Sequence, residues 1–94
     1  CLLVQSRYAD TAKVTERWVN GNASNVQMLD AIDDLISGAD FQQSQKRTPQ
    51  LKAAAADVSR TASGLYKAVN TGSGFSPAAN KLADASRALN AICD

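Results

Sequence analysis

The alternation of apolar and polar positions is most regular between Thr48 and Asn70. Apolar or small side chains recur there at steps of three and four residues, the spacing of one face of an α-helix. These positions are Leu51, Ala54, Ala55, Val58, Thr61, Ala62, Leu65 and Val69. Thr48 and Pro49 precede the pattern as an N-cap and a first helical residue. The sequence therefore predicts a helix over 49–70, whose apolar face must be covered by other elements.

Three further segments show the same periodicity and predict helices over 2–20, 24–37 and 77–93. Ser24 is placed to cap the second of these helices, and Gly38 to end it in the left-handed conformation. Ser76 and Pro77 would begin the last helix by the combination found at Thr48 and Pro49. The connections between the four segments are short, apart from residues 40–47.

The segment from Asp40 to Arg47 is predicted as a separate short turn of helix. Asp40 and Gln43 have the spacing of a capping box. Phe41 is the one large apolar side chain in this segment, and we expect it to anchor the turn in the core.

Four amphipathic helices with short connections predict an all-α fold, an up-down-up-down four-helix bundle formed by a single domain over 1–94. In this topology the first helix begins and the last helix ends at the same pole of the bundle. Cys1 and Cys93 occupy those two places. We expect four apolar side chains to converge beside them: Ile36, Phe41, Leu51 and Ile92. At the other pole we expect Trp18, Val26, Val69 and Phe75. The core is thin because 17 of the residues are alanines, which bury little area, so a crosslink would suit the fold. We therefore predict a disulfide between Cys1 and Cys93 that closes the bundle.

A structural disulfide indicates an oxidising compartment. The predicted location is therefore secreted or extracytoplasmic, in the periplasm or cell envelope. Two alternatives stay open for the cysteines. Cys1 would be lipidated in a bacterial lipoprotein, which would leave Cys93 without this partner, or both thiols would be free.

The residues available for chemistry argue against an enzyme. The sequence contains no histidine, which removes the commonest general base and a common metal ligand, and its one glutamate is Glu16. We predict no catalytic residues, no cofactor and no metal site.

Three acidic residues, Asp30, Asp33 and Asp34, share one face of the second predicted helix. One helix face supplies too few oxygen ligands for tight cation binding. Asp33 and Asp34 fall in the last turn of that predicted helix, where the helix dipole disfavours negative charge. A basic partner surface would compensate, which makes the triplet a candidate partner surface, but basic residues inside the bundle would do so equally well.

The charge and the hydropathy of the chain limit the classes of partner that we expect. The net charge is +1, with both signs interspersed along the chain, so we expect no nucleic-acid binding. No stretch reaches the roughly 18 apolar residues that a transmembrane helix needs. Asn22, Ala23 and Ser24 form an N-glycosylation acceptor pattern, which matters only in a eukaryotic secretory protein.

These observations favour a small secreted or cell-envelope binding module without catalytic activity, whose partner is an unknown protein or surface. An exposed apolar patch would support it. The alternative is a carrier that holds a small hydrophobic ligand between its helices. Its predicted ligand-binding residues are Tyr8, Leu29, Val58, Leu65 and Leu82. A third hypothesis is an accessory domain anchored to lipid through Cys1.

A short pattern, Ala-Asp-X-Ser-Arg, occurs at residues 56–60 and again at 83–87. Each copy places an aspartate three residues before an arginine, the spacing of an ion pair on a helix surface. The two copies indicate either an old duplication or the independent occurrence of the same pattern in two alanine-rich helices.

Overall fold

The computed structural model describes residues 2–44 and 48–93, and every regular element in those ranges is helical. The helices are α1 (Leu2–Val19), α2 (Asn25–Ser44), α3 (Pro49–Thr71) and α4 (Phe75–Cys93). They pack against one another in a body of 39 × 20 × 19 Å. The predicted all-α fold with four packed helices is confirmed.

α1 and α2 run antiparallel, as a series of side-chain contacts shows. Trp18 Nε1 donates to Asn25 Oδ1 at 2.7 Å near one end of the pair. The hydroxyl of Thr11 lies 3.2 Å from the carbonyl oxygen of Ala31, farther along. The residue number falls in α2 as it rises in α1, so the chain turns back on itself at residues 20–24.

The helices pack in chain order, with the most extensive packing between α2 and α3. α1 and α4 approach each other least among the pairs that touch, so they border a seam along the bundle. The rings of Trp18 and Phe75, with centroids 4.9 Å apart, join the end of α1 to the start of α4. The start of α1 and the end of α4 consequently lie at the opposite pole.

Both ends of α3 are capped by residues suited to those positions. Thr48 has an extended backbone, and its Oγ1 accepts a hydrogen bond from the Leu51 N–H at 3.3 Å. At the other end Gly72 has a φ of 73°, and its N–H donates to the Ala68 carbonyl at 2.9 Å. α2 begins with a reciprocal cap between Ser24 and Gln27. These caps satisfy backbone donors and acceptors that the helix ends leave unpaired.

The predicted end of the second helix at Ser37 is wrong. Gly38 is buried inside α2, which continues without a break to Ser44. The side chain of Arg7 crosses over Gly38, where a Cβ atom would lie 2.9 Å from Arg7 Cδ. This glycine therefore allows α1 to approach α2 and does not end a helix.

The longer α2 also corrects the prediction for residues 40–47. Asp40 caps no helix, and its carboxylate accepts a hydrogen bond from the Ser59 hydroxyl at 2.7 Å instead. Phe41 is not a buried anchor, because 57% of its surface is exposed. The rest of this predicted segment, Gln45 to Arg47, lies outside the described residues.

α4 begins at Phe75, two residues before the predicted start at Pro77. The Ala78 N–H donates to the Gly74 carbonyl at 3.2 Å, which closes the first turn earlier. Pro77 lies within that first turn, where a missing N–H leaves no helical hydrogen bond unmade.

The core lies mainly between α2 and α3, and α1 and α4 contribute fewer fully buried side chains. Its larger members are Val4, Met28, Ile32, Leu35, Leu51, Val58, Leu65, Val69, Leu82 and Leu89. Buried alanines, such as Ala55 and Ala62 of α3, fill the space between them.

The repeated Ala-Asp-X-Ser-Arg pattern forms an exposed ion pair in each copy. Asp57 pairs with Arg60 at 2.8 Å, and Asp84 pairs with Arg87. The serines of the two copies differ. Ser59 donates to Asp40, whereas Ser86 is buried and its hydroxyl has no hydrogen-bond partner among the described residues.

Candidate functional site

Three large apolar side chains are exposed at the pole where α1 begins and α2 and α4 end. The exposed fractions are 79% for Leu2, 57% for Phe41 and 41% for Ile92. Each residue belongs to a different helix and lies within the last turn of that helix at this pole. We call these three residues the apolar pole.

The position of each residue on its helix explains this exposure. Leu2 is two residues before the buried Val4, and a step of two residues turns a side chain to the other side of a helix. Phe41 shares a face of α2 with Asp34 and Ser37, both of which are exposed. The expectation that Phe41 and Ile92 would pack together inside this end of the bundle is therefore wrong.

The opposite pole combines a packed aromatic pair with exposed valines. Trp18 and Phe75 are half-buried against the core, as expected from the sequence. Val26 was expected to join them, but it is mostly exposed, as is Val19.

The acidic triplet lies on the exposed surface of α2, where the sequence places it. Contrary to the prediction, Asp33 and Asp34 do not lie in the last turn of α2, because α2 extends to Ser44. The helix dipole therefore does not disfavour their charge. Asp30 and Asp34 line a shallow groove of about 480 Å³ with Arg7 and Arg17 of α1. Arg7 Nη1 also donates to the Asp34 carbonyl at 2.6 Å. The bundle therefore supplies its own positive charge beside the triplet.

Within residues 2–44 and 48–93, no group of three or more histidine, cysteine, aspartate or glutamate side chains is arranged to hold a metal ion. None of the four helices has the length and hydropathy needed to cross a membrane.

The structure does not gather the five predicted ligand-binding residues around one interior cavity. Val58 is fully buried in the core, and Leu29 is half-buried. Tyr8, Leu65 and Leu82 do meet, in a groove of about 140 Å³ in the seam between α1 and α4. The other lining residues are Thr11, Ala12, Thr15 and Ala79.

The sequence analysis missed these last four residues as parts of a site. In the sequence, the feature that marks these residues is their small size, since they occupy positions of α1 and α4 where a packed bundle would place larger apolar side chains. The groove is the result: small side chains leave the seam unfilled.

Cys93 is half-buried at the end of α4 and packs against the core. Cys1 lies outside the described residues, and so does the predicted disulfide between the two.

Comparison with known proteins gives no relative: no family model, curated protein or solved structure matches this chain.

Proposed function

We propose that this protein is a non-catalytic helical binding module that contacts a partner protein through the apolar pole. The observation that carries the proposal is the exposure of Leu2, Phe41 and Ile92 at one end of the bundle. All three lie in helix ends at one pole, and exposed apolar side chains concentrated at one end of a molecule favour an interaction surface there. Phe41 is the aromatic member, and aromatic side chains are enriched at the centres of protein interfaces.

The size of the pole indicates what kind of contact it makes. The bundle measures 20 × 19 Å across its long axis. A typical stable interface buries about 800 Å² on each partner, roughly twice that cross-section. A partner that touches only the pole would bind reversibly, and tight binding would require contacts along the helix flanks as well.

The proposal includes a disulfide between Cys1 and Cys93. The start of α1 and the end of α4 share the apolar pole, since Trp18 and Phe75 join the other ends of these helices. A bond there would hold the α1–α4 seam together at the pole that lacks this aromatic contact. The associated location is secreted or extracytoplasmic, in the periplasm or cell envelope.

Site-specific photocrosslinking tests the apolar pole. Phe41 is replaced by the photoreactive p-benzoylphenylalanine, and the protein is irradiated in an extract of the cell envelope or medium of its source. Lys67, which is exposed in the middle of α3, carries the same replacement as the control. We expect a discrete protein adduct from position 41 alone, weakened by L2S and I92S because each replacement removes exposed apolar surface from the apolar pole.

Equal adducts from positions 41 and 67 would contradict the proposal, as would an adduct at position 41 that L2S and I92S leave unchanged. The absence of any adduct from position 41 in both fractions would also count against it.

A further inference from the structure

The α1–α4 seam contains a groove whose floor belongs to the core. Leu65 of α3 and Leu82 of α4 form this floor, and both are buried. Tyr8 and Ala12 of α1 face Ala79 of α4 across the opening. Because α1 and α4 approach each other least among the packed pairs, the groove opens from the side of the bundle over Leu65 and Leu82, each of which is 2% exposed.

The polar atoms of the groove are nearly all engaged. Thr11 Oγ1 donates to the Arg7 carbonyl at 2.8 Å, and Thr15 Oγ1 donates to the Thr11 carbonyl at 2.7 Å. Thr15 Oγ1 also lies 3.5 Å from Met28 Sδ, on the α2 side of α1. The hydroxyls of both threonines are therefore directed to other partners. The Tyr8 hydroxyl is different, since it forms no hydrogen bond with any described residue.

We propose that the seam groove binds a small amphiphile, with an apolar body of the size of a benzene ring and one hydrogen-bonding group that meets the Tyr8 hydroxyl. The volume of about 140 Å³ sets the size. An enclosed apolar cavity of about 150 Å³ in another protein binds benzene, whereas the seam groove is open on one side, so a ligand of this size would stay partly exposed to solvent. This site would make the chain a carrier of a small ligand, and it is independent of the apolar pole.

The test uses benzyl alcohol, which has a ring and one hydroxyl, and toluene, which has the ring alone. Each is titrated into the full chain labelled with ¹⁵N, and the backbone amide shifts are recorded. We expect saturable shifts at Ala12, Thr15 and Ala79, with a Kd on the order of 1 mM for a ligand of this size. Glycerol, which has hydroxyls but no ring, should give no saturable shift.

Three variants locate the site. A79F fills the groove and should abolish binding of both probes, and A53F adds the same side chain at an exposed position of α3 outside the groove and should leave binding intact. Y8F should weaken benzyl alcohol binding by about two- to tenfold, the worth of one hydrogen bond, and leave toluene unchanged. If A79F does not fold, A12F at the exposed rim takes its place.

Shifts that do not saturate, or that centre on other residues, would overturn the proposal. It would also be overturned if the groove-filling variant bound as well as A53F. If Y8F weakened the binding of benzyl alcohol and toluene equally, the Tyr8 hydroxyl would make no hydrogen bond to the ligand. The proposal of an amphiphile would then be wrong.

Discussion

At the scale of single residues, Ser59 and Ser86 occupy equivalent places in the repeated pattern and have opposite surroundings. Ser59 gives its hydrogen bond to Asp40 of α2, which ties α2 to α3. Ser86 is buried on the inner side of α4 without a hydrogen-bond partner in the described ranges. A buried hydroxyl without a partner loses its hydrogen bonds to water and gains none in return.

We therefore expect S86A to raise the free energy of unfolding by about 1 kcal/mol, since it removes an unpaired hydroxyl and alanine favours helix. S59A is the matched control. It gains the same helix preference but loses the bond to Asp40, and should change stability by less than about 0.5 kcal/mol. Urea unfolding followed by circular dichroism measures both, and a loss of stability in S86A would contradict this interpretation.

Two helical glycines form a second contrast at this scale. Gly64 lies in the middle of α3 with no atom near the place of a Cβ, whereas Gly38 lies beneath Arg7. Glycine inside a helix costs about 1 kcal/mol relative to alanine when nothing else changes.

G64A should therefore stabilise the protein by about 1 kcal/mol. G38A should lose most of that gain, because its Cβ displaces Arg7 and disturbs the hydrogen bond to the Asp34 carbonyl. Measured in an R7A background, G38A should recover the gain. Thermal and urea unfolding of the four variants decide this, and equal stabilisation by G64A and G38A would show that the Arg7 contact is unimportant.

At the scale of elements, α3 shows how far a local pattern can predict structure. Its apolar spacing, its cap at Thr48 and its stop near Gly72 all act within a few residues of the chain, so its limits were predicted to within one residue. The end of α2 depends on Arg7, which is far away in sequence. A glycine needed for close packing and a glycine that ends a helix are identical in a sequence, and so Gly38 was misassigned.

The cap at Thr48 should contribute measurably to α3. T48A removes the oxygen that accepts from the Leu51 N–H and should lower the free energy of unfolding by about 1 kcal/mol. T71A is the control at the other end of α3. Its hydroxyl bonds only to carbonyls of its own helix, and its loss should cost less than about 0.5 kcal/mol. Equal losses in the two variants would argue against the cap.

At the scale of the whole molecule, the seam between α1 and α4 is the main feature that the sequence did not reveal. Tyr8, Leu65 and Leu82 were predicted to meet a ligand and do line one groove. Leu29 and Val58 have the same apolar character but lie elsewhere, because the rotation of each helix about its axis depends on packing partners. The apolar pole was missed because Phe41 was taken as the anchor of a separate turn, while Ile92 falls on the apolar stripe of the last predicted helix.

The proposed disulfide would stabilise this seam. The Trp18 and Phe75 rings hold α1 to α4 at one pole, and the bond between Cys1 and Cys93 would hold them at the other. Closing nearly the whole chain in a loop should add up to about 4–5 kcal/mol to the free energy of unfolding. A reducing agent should therefore lower the urea midpoint of the native protein and leave that of C93S unchanged.

The most direct test of the account is the intact mass of the protein, purified from its own cells without reductant and treated with iodoacetamide under denaturing conditions. The account predicts a mass lower by two hydrogens than that of the dithiol, with no alkylated cysteine until a reductant is added. Two alkylated cysteines would contradict it, and so would a lipid adduct on Cys1 with Cys93 alkylated.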